Sequence, residues 1–261
     1  MDMIAFFCSD EHLFRSLESI RGGGFYLHGI PSDKSTSSAL NALEPLGVLG
    51  AIILDPARQQ EATASLAKQS IMVEAIGAVD TVVVTPAGLV GDYTLGYALS
   101  SILNASQWNV RGARGVVVGS DSVAKAIARE LSSLGMSHLT LIAENNPLAE
   151  ALSPDLAAST EVVATTLDSG VSTPLIEQAD LLVKASQTIS VPEGLLGPHL
   201  NIIELSQDTK SGLREAATRV GAKSIGLRDV QAYQLSHMLE QILGKKMLVE
   251  PFLNVLNGHT L

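Results

Sequence analysis

Short apolar runs rich in β-branched residues alternate along the chain with stretches whose apolar residues recur at helical spacing. The run Phe25-Tyr26-Leu27-His28-Gly29 predicts a strand, as do 47–54 and 81–84. After Val110 the alternation becomes regular. Strands are predicted over 115–118, 139–142, 161–164, 180–183 and 202–205. A helix is predicted over 122–134, with Val123, Ile127, Leu131 and Leu134 on one face and Gly135 as its stop, and a short one over 148–152. Strand and helix thus follow each other at about 25 residues per unit, the order of a parallel sheet covered by helices. The polar segment 107–114 reads as a boundary between two α/β halves, 1–106 and 107–229. The apolar helical pattern over 230–243 is too long for a tail, so 230–261 is expected to pack back on the first half. Residues 1–22 fit a strand and a helix, with no role legible.

Composition narrows the class. The chain has 261 residues, is 46% hydrophobic and only 17% charged, and can therefore bury enough surface to offset its ordering entropy. Its longest apolar run, 46–54, is far short of the roughly 20 residues of a membrane helix. A net charge of -10 argues against nucleic acid as the main partner. One cysteine, Cys8, and no basic leader at Met1-Asp2-Met3 point to a cytoplasmic protein. The six histidines, at 12, 28, 138, 199, 237 and 259, show no metal-ligand spacing, so no metal is expected.

The turn after the 115–118 strand has the position of a dinucleotide-binding loop, which ordinarily reads G-x-G-x-x-G/A. Here it reads Gly119-Ser120-Asp121-Ser122-Val123-Ala124, with only the first glycine. The charge of Asp121 would repel a pyrophosphate; alternatively Asp121 or Ser122 caps the helix. Glu144, after the next strand, stands where an acid accepts from the adenosine ribose. That would favour NAD over NADP; the alternative is a solvated loop acid.

Five segments then occur in a telling order. They are Gly29-Ile30-Pro31 with Ser35-Thr36-Ser37; Pro56-Ala57-Arg58; Ile76-Gly77-Ala78-Val79-Asp80-Thr81-Val82; 91–96; and Ala179-Asp180-Leu181-Leu182-Val183 with Gly226-Leu227 and Gln234. From about Phe25 onward the chain resembles a divergent shikimate dehydrogenase. The resemblance implies an N-terminal α/β substrate-binding domain, a Rossmann-like parallel-sheet dinucleotide domain and a cleft between them. It implies NAD(P)-dependent interconversion of shikimate and 3-dehydroshikimate, in which a Lys and an Asp handle the proton of the reacting hydroxyl. On this sequence it assigns Ser35 and Ser37 to the substrate carboxylate, and Gln234, Thr94 and the positions of Asp80 and Tyr93 to substrate binding. Gly96 also matches. The cofactor would be held by Gly119, Ser120, Asp121, Ser122, Glu144 and Ser186.

The departures matter more than the matches. Arg58 stands at the catalytic Lys position and Leu95 at the catalytic Asp position. Arg stays protonated at ordinary pH and cannot shuttle a proton, though it can bind an anion. Leu95 exchanges no proton. Asp92 could supply a carboxylate, or could be a turn or cap residue before Thr94. Where the family grips the NADP phosphate, this chain has Ala143-Glu144-Asn145. Three readings stay open. The first is an oxidoreductase with rearranged residues, acting on a small hydroxy acid with NAD or NADP. The second is a catalytically impaired member that binds a small carboxylate, without cofactor chemistry, or regulates a partner. The third is an unrelated two-domain α/β binding protein. The residues that resemblance places in the substrate site, Ser35, Ser37, Arg58, Asp80, Tyr93 and Gln234, are expected to converge.

Overall fold

The computed structural model describes residues 2–18, 20, 24–154, 156–206 and 212–258. In chain order its elements begin with β1 (Asp2–Phe7), α1 (Glu11–Glu18), β2 (Phe25–Gly29), α2 (Thr36–Asn41), β3 (Gly50–Ile53), α3 (Pro56–Ala62), β4 (Lys68–Gln69), α4 (Ile71–Ile76), β5 (Thr81–Thr85) and β6 (Gly88–Asp92). Then come α5 (Leu95–Ala105), β7 (Arg114–Val118), α6 (Ser122–Ser133), β8 (His138–Ala143), α7 (Asn146–Glu150), β9 (Glu161–Thr166), α8 (Ser172–Glu177) and β10 (Leu181–Lys184). The chain continues with β11 (Asn201–Glu204), α9 (Leu213–Val220), β12 (Lys223–Gly226), α10 (Leu227–Leu243) and α11 (Glu250–Leu256). Two compact units result: Met1–Thr94 with Gln231–Leu261, and Leu95–Val230.

The first unit holds a mixed sheet of order β2-β1-β3-β5-β6-β4. β2, β1 and β3 run parallel, β5 runs antiparallel to β3, and β6 antiparallel to β5. One edge therefore collects the ends of β1, β2 and β3 together with the start of β5 and the end of β6. Within the segment that had no legible role, Ile4-Ala5-Phe6-Phe7 is fully buried as β1, between β2 and β3. Residues 1, 19 and 21–23 of that segment lie outside the described residues. β3 is shorter than the predicted 47–54, because Gly47 takes φ +67 in a turn that Val48 closes by donating to Leu43 O.

Ala232, Leu235, Met238, Leu239 and Ile242 of α10, with Phe252 and Leu256 of α11, share one core with Ile4, Phe6, Phe25, Leu27 and Ile52. Each of the leucine, isoleucine, methionine and phenylalanine side chains, fully buried, contributes about 1.5–3 kcal/mol. The C-terminal segment is thereby fixed to the first unit, although residues 259–261, including His259, lie outside the described residues.

The second unit is a wholly parallel sheet of order β12-β11-β10-β7-β8-β9. Strand order reverses between β7 and β10, the position at which open α/β sheets form a ligand crevice at their carboxyl ends. The sequence reading put the boundary between halves at 106/107, whereas the contacts put it at Thr94/Leu95. The cause is α5, which lies along α6 and is tied to it by Ser100 donating to Glu130. Among the described residues no helix is long and apolar enough to cross a membrane.

Candidate functional site

At the mixed edge of the first unit, Ile53 N donates to Asp80 O at 2.8 Å, which fixes Asp80 just before β5. Its carboxylate is fully buried, at 0% exposure. Oδ2 accepts from Thr94 N at 2.7 Å, Thr94 Oγ1 at 2.9 Å and Gln234 Nε2 at 2.9 Å. Oδ1 accepts from Thr81 Oγ1 at 2.8 Å. Burial pushes this carboxyl up to about 6, and the bonds from Thr81, Gln234 and Thr94 only partly oppose that. Three residues expected in the substrate site, from three separate stretches of chain, thus meet in one buried cluster.

Arg58 lies at the same edge, on the first turn of α3, whose N-cap is Asp55. Its side chain is 7% exposed and its guanidinium sits 5.3 Å from the centre of the Phe7 ring at the end of β1. Nη2 donates to Pro31 O at 2.8 Å and Lys34 O at 3.2 Å. Nη1 is buried and has no hydrogen-bond partner. No carboxylate among the described residues pairs with this cation. Ser35 follows the clamped loop and caps α2, accepting from Ser38 N at 3.3 Å. Ser37 is exposed on the first turn of α2, while Thr36 beside it is buried and donates to Glu61.

Asp92 ends β6 and is fully engaged. Oδ1 accepts from Ser70 Oγ at 2.6 Å and Tyr93 N at 2.8 Å, and Oδ2 accepts from Gln241 Nε2 at 2.8 Å. Tyr93 is buried next to it. Leu95, the first residue of α5 in the second unit, is buried at 5% exposure and brings no ionisable group.

In the second unit the residues expected to hold a cofactor follow the carboxyl ends of β7, β8 and β10. Gly119 has φ +147, and a Cβ there would meet Ser186 N at 3.1 Å and the Cβ atoms of Ala124 and Ala185 at 3.2 Å. The glycine thus lets two loops approach closely. Asp121 caps α6, its Oδ1 accepting from Ala124 N at 3.0 Å. Glu144, at the end of β8, accepts from Thr188 Oγ1 at 2.9 Å. Its own backbone N–H, helped by the Ser120 and Thr188 hydroxyls, holds its carboxyl below the usual range. Ser186 accepts from Thr188 N at 3.1 Å and Ile189 N at 3.0 Å, which shapes the loop after β10.

Sequence reasoning missed a buried network in the second unit, at the carboxyl ends of β10 and β11. Lys184 Nζ lies 3.6 Å from Glu204 Oε1 and donates to Ser206 Oγ at 3.1 Å, and Ser206 donates to Glu204 at 2.9 Å. A lysine closing the apolar strand Leu181-Leu182-Val183 was the available signal. Thr188 and Gln241 were missed as well; neither belongs to a recognisable motif. Among the described residues no group of three or more His, Cys, Asp or Glu could hold a metal ion.

No protein-family model matches the chain. Over 133 residues it is 32% identical to the shikimate dehydrogenase (NADP(+)) of Symbiobacterium thermophilum, covering 51% of this chain and 45% of the relative. Over 158 residues it is 32% identical to the shikimate dehydrogenase (NADP(+)) of Rhodospirillum rubrum, covering 54% of each. In these matches the chain spans about half the length of the curated relatives. The shikimate 5-dehydrogenase of Listeria monocytogenes, solved with shikimate and NAD, superposes with a TM-score of 0.84 at 17% identity, covering 98% of this chain and 96% of that one. The chain is thus similar in sequence to shikimate dehydrogenases over about half its length, and it shares the fold of the solved ones.

Two further structures share the fold. The quinate dehydrogenase of Corynebacterium glutamicum with NAD gives a TM-score of 0.83 at 19% identity, covering 98% of each chain. The ligand-free 5-ketofructose reductase of a Gluconobacter strain gives 0.82 at 17% identity, covering 99% of each.

Proposed function

We propose that the chain is a shikimate dehydrogenase-like NAD(P) oxidoreductase. It acts on shikimate, 3-dehydroshikimate or a related hydroxy acid, prefers NAD, and is slowed by the replacement of the usual Lys/Asp pair by Arg58 and Leu95. The cluster of Asp80, Thr94 and Gln234 carries this reading. It offers a carboxylate, a hydroxyl and an amide, groups suited to the hydroxyls of a polyol acid. Ser35 and Ser37, with Tyr93, complete the substrate side.

The residues of the second unit fit a dinucleotide at its ribose end. Glu144, its carboxyl lowered by its own backbone N–H and by Ser120 and Thr188, suits a free ribose diol and opposes a 2′-phosphate. Gly119, Ser120 and Ser122 would border the pyrophosphate, with Ser186 on the facing loop. Asp121 weakens that end, because its carboxylate already satisfies the Ala124 amide and repels an anion. When bound, the dinucleotide accepts or donates the hydride.

The proton must pass through a group of this chain. Arg58 keeps its proton and Leu95 has none to give. Asp80, at about 6, is nearer to neutrality than an ordinary carboxyl, as acid–base work near neutral pH requires. We assign it the proton-exchanging role, with Gln234 yielding its bond to an incoming hydroxyl.

A second reading is a catalytically impaired, small-carboxylate-binding or regulatory protein. A cation that cannot release its proton and a buried leucine at the two expected proton-handling positions favour it. Calorimetry with shikimate and with NAD, beside an assay of NADH formation, separates the two. Binding with slow turnover supports the first reading, and binding without turnover supports the second.

A further inference from the structure

A buried guanidinium is costly unless its charge and donors are answered, because arginine cannot escape by losing its proton. Arg58 is answered only in part. Two carbonyls take Nη2 and the Phe7 ring faces the group, yet Nη1 is buried without a partner and no carboxylate neutralises the charge. Lys184, another buried cation among the described residues, has both an ion pair and a hydroxyl. Arg58 also lies where the ends of β1 and β3 meet the loop after β2, a loop exposed from Pro31 to Ser35.

We infer that Arg58 is the anchor for a ligand carboxylate, which completes its coordination through Nη1. This rests on the small-acid reading above and assigns the cation that reading leaves without a task. A carboxylate accepts two parallel bonds from a guanidinium, a geometry that an ammonium does not reproduce. Nη1 has no exposed surface, so entry requires its cover to shift. The exposed loop bonded to the same guanidinium through Pro31 and Lys34 is the segment we expect to move. Carboxylate binding and a rearrangement of residues 31–35 are therefore one event.

The test uses the full chain labelled with nitrogen-15, observed through its arginine side-chain signals at constant ionic strength. The probes are sodium malonate, shikimate, quinate and inorganic phosphate, and Arg58→Lys assigns the signal. Malonate or a hydroxy acid should move the Arg58 signal saturably and raise the melting temperature. Arg58→Lys should weaken the binding at least tenfold while remaining folded by circular dichroism. Shikimate or quinate binding that leaves the Arg58 signal unmoved overturns the inference and spares the small-acid reading. Malonate binding through Arg58 with no binding of shikimate or quinate supports the inference and removes that reading's named substrates. No effect from any carboxylate overturns both. A response to phosphate alone overturns the assignment to carboxylate.

Discussion

Asp80 and Gln234, 154 residues apart in sequence, are joined by a hydrogen bond of 2.9 Å from the Gln234 amide to the Asp80 carboxylate. The bond pins α10 to the start of β5 and closes the polar cluster with Thr94. It also leaves a charge in a fully buried place.

That charge gives the first prediction. Because the folded value is raised from 3.8 to about 6, the folded chain binds the proton more tightly than the unfolded chain. Stability should fall as pH rises from about 4 to about 6 and then level off. The gap corresponds to roughly 3 kcal/mol as an upper bound. Asp80→Asn removes it: the amide oxygen can keep the Thr94 and Gln234 donors, and the Thr81 hydroxyl can turn to accept. Denaturant unfolding should find the variant more stable than the parent at pH 8 and no more stable at pH 3.5. A variant that is less stable at pH 8 contradicts the account of the cluster.

The Lys184–Glu204 pair gives a second. Lys184→Met leaves a buried carboxylate without its cation and should cost about 3–5 kcal/mol. Lys184→Met with Glu204→Leu replaces both by apolar volume and should recover most of that loss. Equal destabilisation by the single and double variants would show that the charges are not coupled.

Cofactor choice gives a third. Glu144→Ala should weaken NAD by about 10- to 100-fold, the worth of hydrogen bonds to a charged acceptor. Asp121→Gly should strengthen NAD by about 5- to 10-fold by removing a nearby like charge. As a helix cap, glycine costs only a few tenths of a kcal/mol in that place. Calorimetry reads both, and NADP binding tighter than NAD in the parent would refute the role given to Glu144.

How much of this could be read from the chain differs by level. In the second unit β7 to β11, α6 and α7 were legible, since buried parallel strands such as Val116-Val117-Val118 are continuous apolar runs and α6 has one apolar face, whereas α5, α8, α9 and β12 were not. The first unit was harder. β4 has only two residues, and β6, Gly88–Asp92, contains two glycines that hide its alternation. β1 sits inside a segment that matched no motif. In the site, the seven-residue run 76–82 led to Asp80, and the helix start at Gly226 led to Gln234. Their direct contact was not readable, because nothing local signals a pairing over that separation. The orphaned nitrogen of Arg58 and the Thr188–Glu144 bond likewise exist only once the loops are placed.

Position 58 gives a fourth. Arg58→Lys restores a group able to exchange a proton, and one such group gives about 10²- to 10⁴-fold in rate. Its kcat for hydroxy-acid oxidation should rise by roughly 10²-fold. Its KM should rise too, because the carboxylate loses a bidentate partner.

The most direct test of the central claim is the initial rate of reduced-dinucleotide formation with shikimate and with quinate, each with NAD and with NADP, for the parent beside Arg58→Lys. The account predicts slow oxidation with NAD, little or none with NADP, and a faster Arg58→Lys variant. Rapid NADP-dependent turnover by the parent, or loss of turnover in Arg58→Lys, would contradict it.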